Sequence, residues 1–177
     1  MSAQYVADAM ERVEIVLRRR PDMGLHDDSP AIARWRGSTR IVTSHDNGSE
    51  FTTDMPGELG GTGDQVTPGW LMRAGLAACT ATRIAMGAAA AGIELTKLEL
   101  RASSRSDTRG MLGMTESDGT RISAGPQDVQ LHVTIAAHGV PAEALRALVE
   151  ESHRCSPVPC ALQEETPVEL HIEVAGS

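Results

Sequence analysis

Aromatic side chains are nearly missing from this chain: Tyr5, Trp35, Phe51 and Trp70 are the only ones among 177 residues. A core of Ala, Val, Leu, Ile and Met forgoes the roughly 150–250 Å² that each large ring can bury. Association with a second copy is the usual source of the missing area, so a homodimer is expected. Basic charge is short as well, with 16 Lys and Arg against 24 Asp and Glu and a net charge of -8. Only Arg18 to Arg20 and the segment holding Arg34, Arg36 and Arg40 are locally basic. Phosphate binding needs clustered cations, which argues against a nucleic-acid partner. No apolar run approaches a membrane span without an Arg breaking it, and the first twenty residues lack the apolar stretch of a signal peptide. A soluble cytoplasmic protein is the expectation. The three cysteines include no CxxC spacing and form an odd set, which fits reduced thiols better than a disulfide framework. A G-x-S-x-G motif is absent, so serine hydrolysis has no support. Gly60, Gly61 and Gly63 are not followed by the Lys-Ser or Lys-Thr of a nucleotide P-loop. They read as a loop.

What the chain does have is the stretch Thr67 to Gly92, TPGWLMRAGLAACTATRIAMGAAAAG. Thr67 suits the N-cap, Pro68 the first helical position and Gly92 a left-handed terminator. Between them the residues are mostly apolar around the whole circumference, the pattern of a core helix. Cys79 lies near its middle, among Ala and Gly residues small enough for close packing. Arg83 follows one turn later on the same face, where a cation favours thiolate over thiol. The plainer reading of Cys79 is a small buried hydrophobe.

Around this helix the pattern alternates. Residues 5 to 20 carry apolar positions at helical spacing, and Pro21 opens a turn-rich linker to about residue 30. Residues 31 to 53 read as two antiparallel strands joined at Asn47-Gly48. Leu95 to Ala102 reads as a strand, residues 103 to 127 as a polar excursion, and Val129 to Ile135 as a half-buried strand. A second helix runs from Pro141 through Glu151, and Val168, Leu170, Ile172 and Val174 alternate as a last strand. This order predicts an α+β fold with a mostly antiparallel sheet against the helices.

Cys79, Cys155 and Cys160 are available for redox chemistry, in which a thiolate attacks a peroxide and a second thiol condenses with the sulfenic acid. Cys79 and Cys155 satisfy this if their two helices pack together. Zinc bound by His153, Cys155, Cys160 and Cys79 is the competing use, but the spacing matches no finger or ribbon. Glu150 and Glu151, adjacent on one helix, read as a solvated face.

The segments GELGGTG, TPGWLMRAGLAACTATRIAMGAAAAGI, HRCSPVPCAL and TPVELHIEV together resemble the OsmC/Ohr proteins, osmotically inducible protein C and organic hydroperoxide resistance protein. The resemblance runs from about residue 31 to the C-terminus, leaving residues 1–30 as a helical extension and linker before an OsmC-like domain at 31–177. It implies an α+β fold, an intertwined dimer with sites at the interface, and peroxide reduction without a bound cofactor or metal. By position Cys79 matches the peroxidatic residue and Cys155 the resolving one. Ser156 stands between Cys155 and Pro157-Val158, so an ungapped match puts Ser156 at the resolving position. The family peroxidases carry a Glu ten residues before the reactive cysteine, where this chain has Gly69. The thiolate partner is then to be sought among Arg83, Arg36 and Arg40.

The function these readings imply is a thiol-dependent peroxidase acting on an organic hydroperoxide or hydrogen peroxide, regenerated by a dithiol reductant, in oxidative stress defence. The alternative is a non-catalytic binder of a small hydrophobic ligand at the dimer interface, with Cys79 kept for packing. A redox sensor or metal protein that uses Cys160 is a third reading.

Overall fold

The computed structural model describes residues 2–164 and 166–176. Its first element, helix α1 (Ala3–Arg19), is capped by the Ser2 hydroxyl, which accepts the Tyr5 amide, and ends with Arg18 and Arg19 in the last turn. Those cations complement the carbonyl end of the helix dipole. The helix packs on the central helix of its own chain and buries no residue fully.

Three short strands follow, β1 (Ile32–Trp35), β2 (Ile41–Ser44) and β3 (Glu50–Thr53), paired antiparallel in that order. The sequence predicts two strands here. The extra break falls at Gly37 and Ser38, whose φ values of 104° and 49° turn the chain sharply before β2. The expected turn at Asn47-Gly48 joins β2 to β3, with Gly48 at φ 89°.

Helix α2 (Pro68–Ala90) is capped as its sequence requires: the Thr67 hydroxyl accepts the Trp70 amide at 3.2 Å, and Pro68 occupies the first turn. Leu76, Thr80, Ile84 and Ala88 recur every fourth residue and are buried, a single stripe at the helical repeat. The Thr80 hydroxyl satisfies itself on the Leu76 carbonyl at 3.0 Å. Ala78, Thr82 and Ala85 are exposed, so within one chain part of the helix surface is left open.

A two-stranded antiparallel sheet of β4 (Leu95–Arg105) and β5 (Gln127–Ala137) lies against α2. The polar excursion between these strands contains a one-turn helix α3 (Thr108–Met111) and a small bridge between Thr115 and Arg121. Helix α4 (Ala142–Arg154) runs three residues beyond its expected end, and the SPVPCAL segment forms a further short helix, α5 (Pro157–Gln163). Pro157 opens α5 where its missing amide costs nothing.

The last expected strand is absent. Residues 166 to 176 have no regular structure, and Val168, Leu170, Ile172 and Val174 are 78–92% exposed. Their alternation is that of a strand, but no sheet edge of the same chain pairs with it, and an unpaired strand has no backbone partners to hold it. Among the described residues no helix is long and apolar enough to cross a membrane.

Candidate active site on the central helix

Cys79 is half-buried on α2, on the stripe adjoining the core positions. That stripe runs through Gly75, Cys79, Arg83 and Gly87, each one helical repeat from the next. Gly87 explains how α4 comes so close. A Cβ there would meet Leu148 Cδ1 at 2.9 Å and Ser152 Oγ at 3.2 Å, so hydrogen at this position lets the two helices pack side to side. Because α4 and α5 run back along α2 from Leu148 opposite Gly87 to Pro159 near Leu76 and Thr80, the junction between them lies alongside the middle of α2.

The junction carries the remaining thiols. Cys155 ends α4 and is exposed, its Sγ donating to Glu151 Oε1 at 3.4 Å. Cys160 is half-buried in α5 and donates to the Arg154 carbonyl at 3.2 Å. All three cysteines are free thiols. Ser156, by contrast, is fully buried and bonds the Ser152 carbonyl at 2.8 Å. The residue that the ungapped match puts at the resolving position is therefore packed inside, and the neighbouring thiol faces outward.

Glu151 is more than a solvated carboxylate. It pairs with Arg154 and accepts from Cys155, and its carboxyl is held below the usual range by these hydrogen bonds, the Arg154 one first, with a smaller contribution from the Arg83 charge.

The three candidate arginines are placed very differently. Arg83 Nη1 is buried without a hydrogen-bond partner and lies 3.5 Å from the Cβ position of Gly87, so the guanidinium extends along α2 away from Cys79. Arg36 is exposed just beyond β1. Arg40 is committed elsewhere: its Nη2 binds Asp54 at 3.2 Å, Thr62 Oγ1 at 2.8 Å and also Asp64. Two carboxylates raise its pKa further.

Asp54 is the residue that sequence reasoning missed. It is 2% exposed and accepts from Thr39 Oγ1 at 2.5 Å, Thr62 N at 3.1 Å, Thr62 Oγ1 at 2.8 Å and Met55 N at 2.8 Å, besides Arg40. These donors, Thr39 first, hold its carboxyl far below the usual range. The glycine loop wraps this carboxylate. At Gly61 a Cβ would sit 1.7 Å from the Met55 carbonyl oxygen and 2.8 Å from Asp54 Oδ1, so no side chain fits. A loop closed around an anion has no place for a phosphate, in keeping with the loop reading. The only sequence signal was an acidic residue directly before a Gly-rich, Thr-containing segment, which is too common to single out.

Cavities border the helix on several sides, among them one of about 930 Å³ against α1 with Arg83 on its wall, and two others adjoin the residues described above. One, of about 360 Å³, lies between α2, β5, α4 and α5 and is lined by Leu76, Leu131, Val133, Val149, His153 and Pro159 among others. The second, of about 390 Å³, sits at the start of α2 between the 55–59 loop and residues 106–111, with Gly69 and Arg73 on its wall. Among the described residues no group of three or more His, Cys, Asp or Glu side chains is arranged to hold a metal ion.

The OsmC-like protein family matches residues 61–171, more than half of the chain, a span that takes in α2, all three cysteines, α4 and α5. The chain belongs to the OsmC-like family. Solved OsmC-like structures share its fold. An OsmC-like protein from Mycoplasma pneumoniae superposes with a TM-score of 0.64 at 19% identity, covering 78% of this chain and 89% of that one. An organic hydroperoxide resistance protein from Elizabethkingia anophelis gives 0.59 at 26% identity, over 78% and 90%. One from Legionella pneumophila gives 0.55 at 22%, over 78% and 92%. No curated protein matches the sequence. The expected OsmC-like α+β architecture is thus the observed one.

Proposed function

We propose that this OsmC-like protein is a thiol peroxidase in which Cys79 attacks an organic hydroperoxide or hydrogen peroxide. The observation that carries the reading is the position of Cys79: mid-way along the central helix of an OsmC-like fold, half-buried, on a helix that packs against α4 and α5, whose junction carries the two other thiols. Attack of the Cys79 thiolate on the distal peroxide oxygen breaks the O–O bond, forms a sulfenic acid and releases an alcohol or water. The Cys155 thiol then displaces water from that sulfenic acid to give a disulfide, which an external dithiol reduces. Arg83 is the nearest of the three arginines in sequence and has a buried nitrogen without a partner, and it serves the thiolate by turning back from Gly87 toward Cys79. Arg40, held by two carboxylates, is the least available.

The same reading makes the protein a dimer. All four aromatic residues are 44–70% exposed in the single chain, and so are the four alternating residues of the C-terminal segment, at 78–92%. Covering one such large side chain contributes about 1.5–3 kcal/mol. A second copy covers these surfaces and brings a further wall to the outward face of α2. The competing reading, a binder of a small hydrophobic ligand, draws on the largely apolar cavity beside Leu76 and on the absence of a carboxylate at Gly69.

Intact-mass analysis of the reduced protein after one equivalent of cumene hydroperoxide, followed by peptide mapping, decides between them. The peroxidase loses two hydrogens rapidly as one disulfide forms, and Cys79→Ser does not react with the hydroperoxide. Thiols that stay reduced while hydroperoxide persists overturn it in favour of the binder.

A further inference from the structure

Cys160 has no part in the two-thiol cycle, yet it is not placed as a packing residue. Its Sγ donates to the Arg154 carbonyl oxygen at 3.2 Å, and that carbonyl belongs to the peptide leading directly into Cys155. A carbonyl oxygen lies about 2.8 Å from the following Cα in a trans peptide. The Cys160 sulfur is therefore within about 6 Å of the Cys155 Cα, by the sum of those two steps. A cysteine's Cα lies about 2.8 Å from its own sulfur, so the two Cα atoms are at most about 9 Å apart, and a disulfide needs them at roughly 4.4–6.8 Å. Rotation of the two side chains and, at that upper limit, closure of the α4–α5 turn by about 2 Å bring the sulfurs together. The turn is short, held by Ser156 N to His153 O at 3.2 Å and Cys160 N to Ser156 O at 3.1 Å. Cys155 is exposed and Cys160 half-buried, so a bridge between them presents a sulfur to solvent.

We propose that Cys155 and Cys160 form a second redox pair that takes over the disulfide from Cys79. This rests on the peroxidase reading for its oxidant. After Cys79 and Cys155 have bridged, the Cys160 thiol loses its proton to water and its sulfur attacks Cys155. The Cys155–Cys160 bond forms as the Cys79–Cys155 bond breaks, and Cys79 leaves as a thiolate. No net oxidation occurs in this exchange. The two-electron oxidation moves from the half-buried central helix to the exposed turn, where an external dithiol reduces it and Cys79 is already free for the next peroxide.

Two arms test it. In Cys79→Ser, diamide, which oxidises thiol pairs without peroxide chemistry, is expected to remove two hydrogens and yield one peptide bridged between Cys155 and Cys160 within a single chain. Failure to form that bridge, or formation only of links between chains, overturns the pair. With cumene hydroperoxide, the wild type is expected to end with the Cys155–Cys160 bridge and a free Cys79, and Cys160→Ser to accumulate the Cys79–Cys155 bridge. A wild type that ends as Cys79–Cys155 with Cys160 free overturns the transfer. If hydroperoxide oxidises nothing while diamide still closes the bridge in Cys79→Ser, it is the peroxidase reading that fails, and the pair stands.

Discussion

Replacing Gly69 with Glu is the perturbation whose outcome the structure fixes most closely. Gly69 is the second residue of α2, after the Thr67 cap and Pro68, and its backbone lies outside the positive-φ region. A Cβ there meets only Arg73 Nη1 at 3.8 Å and Thr67 Oγ1 at 4.0 Å, ordinary contact distances, and the adjoining cleft of about 390 Å³ has room for the rest of the side chain. Three gains follow. Removing a helical glycine contributes about 0.5–1 kcal/mol, and a carboxylate in the first turn about 0.3–1 kcal/mol through the helix dipole. The pair with Arg73 four residues on, in the favourable acid-first order, adds about 0.2–0.5 kcal/mol. The sum is about 1–2.5 kcal/mol, which for a chain of this size raises Tm by about 2–10 °C. Thermal unfolding of Gly69→Glu beside the wild type measures it. In 1 M salt the two charge contributions shrink and the glycine one remains, so the gain should fall to roughly the 0.5–1 kcal/mol of backbone origin. Arg73 keeps its present bond to Ser104 Oγ at 3.2 Å, so the variant adds a partner without removing one. A lower Tm refutes the assignment of that space.

Gly61→Ala places a methyl against backbone at 1.7 Å and forces the loop off Asp54, so a loss of about 3 kcal/mol or more is expected in urea unfolding. Asp54 is ionised in the folded chain at a pH where it is protonated when unfolded. Its contribution is thus fully present above the unfolded value of about 3.9 and lost as pH falls through the lower folded value. The stability of Asp54→Asn should be lower than wild type at neutral pH and flatter in acid, measured by unfolding at pH 7 and below 4. Arg83→Met removes a buried nitrogen that has no partner, an arrangement that costs about 1–3 kcal/mol. Its stability should be equal to or above wild type, while the rate of Cys79 oxidation falls if Arg83 supports the thiolate. A clear loss of stability means that Arg83 has a structural partner.

Much of the chain was decided locally and is therefore legible in its sequence. The central helix is bounded by Thr67 and Pro68 because a hydroxyl cap and a missing amide act within one turn. The β2–β3 turn at Asn47-Gly48 follows from positive-φ positions, and the amphipathic first helix from its spacing. The motifs around Cys79 and Cys155 were enough to identify the family. Other features depend on which residues meet through space. The burial of Asp54 under a glycine loop joins residues 39, 40, 54, 62 and 64, which no periodicity links. Likewise only packing reveals that Gly87 seats α4, that Ser156 points inward and Cys155 outward, and that Arg40 is spent on two carboxylates. The C-terminal segment marks the boundary between the two. Its alternation is written in the residues Val168, Leu170, Ile172 and Val174, but a strand exists only where an edge accepts its hydrogen bonds, and among the described residues no edge pairs with it.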